Sequence, residues 1–258
     1  MKKYEFTEET KELNGTMLHR IIAIKDFGDI KIGDLGGWLE KESNLSQNNN
    51  CWVFGNAIVF GNAEVYDSAK VCGNAQVYDN AVVYDNAQVY DNAKVYDNAI
   101  VFGNAQVYDN AIVFGNAIVF GNAEVYDSAI VYGNAEVYDN AEVYGSGQVY
   151  GSAEVYGSAE VYGNAEVYDS GQVYDSAEVY GSAKVCGITT LTKEVINIVG
   201  LKYNITITDT YIRIGCKQYT YEEWKNFSDH KISKMDDGAL EWWGEYKHIV
   251  LGLFGNRI

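Results

Sequence analysis

The net charge of this 258-residue chain, −17 at neutral pH, is concentrated in residues 51–188, which carry eighteen acids against Lys70, Lys94 and Lys184. A surface of that sign excludes bare nucleic acid and anionic membrane as partners. Apolar and aromatic residues make up 47% of the chain and proline is absent, which excludes disorder by composition and suits an uninterrupted hydrogen-bonded ladder.

Residues 1–50, with nine acids and seven bases, read as a lead-in. The opening MKKYEFTEETKEL has no apolar stretch of the kind a secretory signal needs, and no run in the chain approaches a membrane span. Short strands are expected over 19–25 and 30–32, with turns at Gly28, Gly33, Gly36 and Gly37. Trp38 and Trp52 bracket the start of the next segment. A repeat array exposes apolar core at its end, so this lead-in is assigned as an N-terminal cap.

From Cys51 to Ile188 one hexapeptide is written twenty-three times without insertion. Its consensus is Ala-X-Val-Tyr-(Asp/Gly)-(Asn/Ser). The third position is Val in every copy, and the fourth is aromatic except at Cys72 and Cys186. One aliphatic and one small residue every six positions mark a parallel β-helix. Side chains alternate along a strand, so Val and Ala face inward while the second and fourth positions face out. The fifth and sixth positions make the corner, where Asn and Gly tolerate a left-handed backbone.

Residues 189–258 hold nine acids and nine bases. Alternation predicts strands over 195–199, 204–208 and 211–215. Thr220 and Glu223 form a capping box that starts a helix, and Asp237 is placed as the cap of a second. Trp224, Trp242 and Trp243 are expected in the core of this small α+β module, which either caps the far end of the repeat or acts as an interaction domain.

The Ala-X-Val-aromatic hexads resemble those of the hexapeptide-repeat, left-handed parallel β-helix family. That resemblance implies three hexads per triangular turn, hence seven to eight turns and a mainly β fold of about 35–40 Å. The flanks, DFGDIKIGDLGGWLE at 26–40 and IRIGCK before YEEW, are similar to a narrower group of phage and prophage hexapeptide-repeat proteins. It implies a phage context, with the cytoplasm of a bacterial host as the location and a virion as the other.

The enzymes of the wider family are acyltransferases and carbonic-anhydrase-like metal enzymes that use histidines in or beside the coils. Residues 51–188 contain no histidine; the three in the chain are His19, His230 and His248. No P-loop, dinucleotide fingerprint or zinc motif occurs. The four cysteines, Cys51, Cys72, Cys186 and Cys216, show no metal-ligand spacing and read as reduced thiols. No catalytic residue, metal or cofactor is therefore expected.

With three hexads per turn, residues eighteen apart stack. Ile100, Ile112, Ile118 and Ile130, with Phe102, Phe114, Phe120 and Tyr132, then form an outward apolar zone on two adjoining faces, extended by Val82 and Tyr84. Such a zone is read as a homo-oligomer contact, unless a flanking segment folds back over it. Glu124, Glu142, Glu160 and Glu178 form a vertical ladder, with Tyr126, Tyr144, Tyr162 and Tyr180 as a second ladder on the same face. Eleven acids and one lysine from Ala123 to Ile188 give −10 over roughly 18 Å, close to the charge density of duplex DNA. The expected function is binding and inhibition of a host protein, plausibly a nucleic-acid-binding defence factor, through this acidic tyrosine-lined half. The alternatives are an adhesive rod that stacks sugars on its tyrosines and sequestration of a small signalling molecule.

Overall fold

A computed structural model describes residues 2–187, 189–193 and 195–255; the final repeat position, Ile188, lies outside them. The repeat is a three-faced β-solenoid of about eight turns. Each hexad contributes a two- or three-residue strand, and strands eighteen residues apart pair in parallel, as in Glu124↔Glu142 and Val125↔Val143. The three faces begin at Trp52, Ile58 and Glu64, and are called here the acidic, cap and third faces. The third face ends on Thr190–Leu191, past the last consensus hexad.

Through the body of the rod each hexad donates the same hydrogen bonds to the next turn. The amide of Glu124 donates to Ala141, that of Tyr126 to Val143 and that of Ser128 to Gly145, at 3.0, 3.0 and 2.8 Å. The core is two kinds of column, valines and alanines, both fully buried. Val fills the strand with a β-branched side chain, and Ala leaves room for the chain to bend.

The corners differ from the expectation in one respect. The left-handed residue is the fifth of the hexad, Asp or Gly, and not the Asn that follows: Asp97 has φ +57° and Gly115 has φ +74°. Asp is among the few residues other than Gly that reach this region, and its carboxylate here accepts from the next turn, from the Gly115 amide to Asp97 Oδ2 at 3.2 Å. The Asn residues instead form side-chain ladders along the rod edges, as in Asn80 to Asn98 and Asn98 to Asn116 at 3.2 and 3.0 Å.

The lead-in caps the rod by extending a sheet. Strands β1 (Tyr4–Leu13) and β2 (Thr16–Ala23) form a hairpin across an Asn14-Gly15 turn, both residues at positive φ. Strand β3 (Leu35–Leu39) pairs antiparallel with β2 and parallel with Ile58–Val59, so the cap face runs unbroken into the hairpin. The strand expected at 30–32 is a turn closed by a single Phe27–Ile30 bridge. Gly36 and Gly37 lie inside β3 rather than in turns: a Cβ at Gly36 would fall 2.5 Å from Ile21, and one at Gly37 2.5 Å from the Ala57 carbonyl. Lys3, fully buried, donates to the carbonyls of Asn48, Asn49 and Cys51 at 3.0, 3.3 and 2.8 Å and closes the first coil from above.

At the far end Val195 and Leu191 are buried against the last coil. A four-stranded antiparallel sheet follows, Ile196–Ile198, Ile205–Ile207, Tyr211–Ile214 and Lys217–Thr220. It carries α1 (Tyr221–Asn226), α2 (Asp229–Ser233) and α3 (Ala239–Gly255). The capping box at Thr220 and Glu223 is present. Helix α3 follows Gly238 (φ +76°) directly, so Asp237 is not its cap. Trp224, Trp242 and Trp243 are buried in this module's own core.

Candidate functional site

The second residues of the hexads on the acidic face run Trp52, Lys70, Gln88, Gln106, Glu124, Glu142, Glu160, Glu178. The structure therefore brings the four ladder glutamates into one column. Left in water, carboxylates about 4.8 Å apart repel by about 1 kcal/mol per neighbour. The structure supplies a counterweight to that repulsion. Tyr108, Tyr126, Tyr144 and Tyr162 donate their hydroxyls to Oε2 of Glu124, Glu142, Glu160 and Glu178, at 2.9, 2.8, 2.7 and 2.9 Å. Each phenol reaches the carboxylate one turn ahead, so the two ladders form one laced network of half-buried side chains. Burial, then the hydrogen bond to the carboxylate, raises the phenol pKa of Tyr126 and Tyr144, and pushes that of Tyr162 up to about 12.

The rings themselves are not presented face-on. From Tyr90 to Tyr162 successive centroids lie 4.8–5.0 Å apart with interplanar angles of 2–5°, and Tyr162–Tyr180 follows at 5.6 Å. Each ring face is covered by its neighbour, and the edges remain. The tyrosines therefore hold the carboxylates in position and present ring edges. A sequence signal for this existed: a tyrosine stands sixteen residues before each ladder glutamate.

The central zone is also assembled as expected. Val82, Ile100 and Ile118 stack on the third face, and Ile112 and Ile130 on the cap face. Phe102–Phe120 and Phe114–Tyr132 stack at 5.0 Å. All of these side chains are half-buried rather than exposed, because each ring and each isoleucine is flanked by its neighbours above and below. The apolar surface is therefore smaller than an exposed patch would be. The lead-in pairs its strand β3 and Leu45 with the first turn, at Phe54, Ile58, Val59 and Val65.

His19 stacks on Phe6 at 5.0 Å in the cap hairpin, and His230 lies in α2 and His248 in α3. Among the described residues no group of three or more His, Cys, Asp or Glu side chains is placed to hold a metal ion.

Fold and repeat together define the chain as a hexapeptide-repeat β-solenoid. A family model described as the YdcK beta solenoid repeat matches residues 75–91 and 105–120. Over 69 residues the chain is 42% identical to a protein of Escherichia coli strain K12 described as an uncharacterized acetyltransferase, YdcK. That match covers 23% of this chain and 21% of the relative, so the chain spans about a fifth of the length of the protein it resembles.

Proposed function

We propose that the protein is a non-enzymatic scaffold whose acidic face captures a basic surface of a partner protein. The observation that supports this reading is the laced ladder of Glu124, Glu142, Glu160 and Glu178, each carboxylate held by a phenol of the turn before. Carboxylates positioned in advance lose little side-chain freedom when arginines or lysines pair with them, so more of the interaction remains as affinity. The resemblance of the flanks to phage proteins makes a host nucleic-acid-binding defence protein the partner class. Its DNA-binding channel would meet about one charge per 1.8 Å along this half of the rod, against about one per 1.7 Å in the duplex it normally holds.

The covered ring faces count against the adhesive reading, because a sugar stacks on the face of an aromatic ring. The acetyltransferase description of the Escherichia coli relative favours a second reading. It belongs to a protein matched here over 21% of its length. Residues 51–188 of this chain supply no histidine to serve as a base.

The deciding variant replaces the four ladder glutamates with glutamine. Gln106 already occupies this column and accepts from Tyr90 at 3.1 Å, so the lacing survives while the charge goes. A partner retained from host lysate by the wild type at low salt, released at high salt and lost by the quadruple variant is the expected result. Capture that survives the four substitutions would overturn the reading. Transfer of an acetyl group by the purified wild type would replace it with the enzymatic one.

A further inference from the structure

We infer that the acidic face carries, in its first turns, a slot for the ring of a small phenol, opened where Cys72 interrupts the aromatic column. The fourth residues of the hexads on this face begin Phe54, Cys72, Tyr90, each following a strand that pairs with the next. Tyr90 stacks on Tyr108, and the rings continue at the same spacing to Tyr162. Phe54 stacks on no other ring among the described residues. On the other two faces the column starts without a break, Phe60 on Tyr78 and Tyr66 on Tyr84. The strands before Phe54 and Tyr90 are two ladder spacings apart, about 9.6 Å, which leaves room for one ring at the spacing the column already uses.

The missing ring also leaves a hydrogen bond unmade. Tyr90 donates to Gln106 Oε1, sixteen residues on, at 3.1 Å. The residue placed to do the same for Gln88 is Cys72, whose half-buried thiol stands in for ring and hydroxyl. Among the described residues the Gln88 side chain has no hydrogen-bond partner. A cavity of about 260 Å³ lies here, with Phe54, Lys70 and Gln88 in its lining and residues 28–30 of the lead-in beside them. Phe54 belongs to the first turn and Gln88 to the third, so the cavity spans the turn of Cys72. The ligand class follows from what the column lacks: a flat ring to stack and a hydroxyl to donate to Gln88 Oε1. The charges around it favour a neutral molecule. Lys70 Nζ pairs with Asp29 at 3.9 Å, and Asp91 lies near the Cys72 thiol, so nothing is left to hold an anion. The slot occupies earlier turns than the glutamate column, and the inference does not depend on partner capture.

The test is a ligand-observed NMR titration of the full chain with p-cresol, toluene and N-acetyltyrosinamide. Saturable binding of p-cresol is expected at a Kd of about 1 mM, the range open to so small a ligand. Toluene stacks but cannot donate, and is expected to bind about fivefold more weakly. Comparing p-cresol with N-acetyltyrosinamide tells a free phenol from a tyrosine side chain, and saturable binding of either supports the slot. C72Y supplies the ring covalently. It is expected to weaken p-cresol binding by about tenfold or more and to raise the melting temperature, whereas a folding defect would lower it. C72A only deepens the slot and is expected to bind at least as well as the wild type. Q88L is expected to weaken p-cresol about fivefold and to leave toluene unchanged. No saturable binding of either phenol, toluene bound as tightly as p-cresol, or a p-cresol affinity unmoved by C72Y would overturn the assignment.

Discussion

At the scale of single residues, the lacing of Tyr126 to Glu142 joins stability and surface chemistry in one contact. Y126F removes only the hydroxyl and leaves the stacked ring. A hydrogen bond to a charged acceptor contributes about 1.5–3 kcal/mol when buried; at this half-exposed site we expect a loss nearer 1 kcal/mol, read from chemical denaturation. The raised phenol pKa values also set a pH dependence. An unfolded tyrosine ionises near pH 10, whereas Tyr162 in the rod is pushed up to about 12. The unfolded chain therefore loses protons first as pH rises. The stabilisation is complete below about pH 10 and disappears as pH climbs through 12. Tyrosinate absorbance followed beside circular dichroism should show the ladder phenols ionising with loss of structure; ionisation near pH 10 in a folded rod would contradict this. Lys3 belongs to the same scale and was invisible in the sequence, where a lysine in a charged N-terminal stretch carries no sign of burial. K3M would leave the carbonyls of Asn48, Asn49 and Cys51 without that donor, and about 3 kcal/mol of stability should be lost.

At the scale of elements, the hexad decides nearly everything, because each one repeats the same hydrogen bonds and the same buried Val and Ala. That made the rod and its inward faces legible from spacing, while the columns needed the three hexads per turn that the family resemblance implies. The left-handed corner was less so, since Asp and Asn stand side by side and both tolerate positive φ. The structure gives it to Asp, which frees Asn to hydrogen-bond along the edge. D97A should therefore cost about 1–2 kcal/mol, the usual penalty for a side chain with no local hydrogen bond in this region, whereas D97N should stay close to wild type in a thermal melt. Outside the repeat, legibility followed local signals. The capping box at Thr220 and Glu223 located α1. The strand Lys217–Thr220 alternates no apolar residues and was missed, as was β1, whose glutamates and lysine mask its pairing with β2. The lacing of the acidic face needed the number of hexads per turn before an offset of sixteen residues meant contact.

At the scale of the whole molecule, acidity grows along the rod and is shared by its faces: Glu136 and Glu154 stand on the third face, and Glu166 on the cap face accepts from Tyr150 at 2.9 Å. The unbroken column of four glutamates occupies one face of the later turns. In the middle of the rod lie Ile112 and Ile130 on the cap face and Ile100 and Ile118 on the third. These are half-buried residues in a position that holds Gln, Glu or Lys in most other hexads, so their apolarity is not a requirement of the coil. We propose that a second copy covers them, because a straight rod offers the same strip to its twin and a two-fold contact is self-complementary. The double variant I112K/I118K tests this without endangering the fold, since Lys70, Lys94 and Lys184 already occupy the same hexad position. We expect sedimentation to give a multiple of the chain mass for the wild type and a single chain for the variant, with unchanged circular dichroism. A wild type that sediments as one chain at tens of micromolar, or a variant that keeps the wild-type mass, would show that the isoleucines serve some other contact.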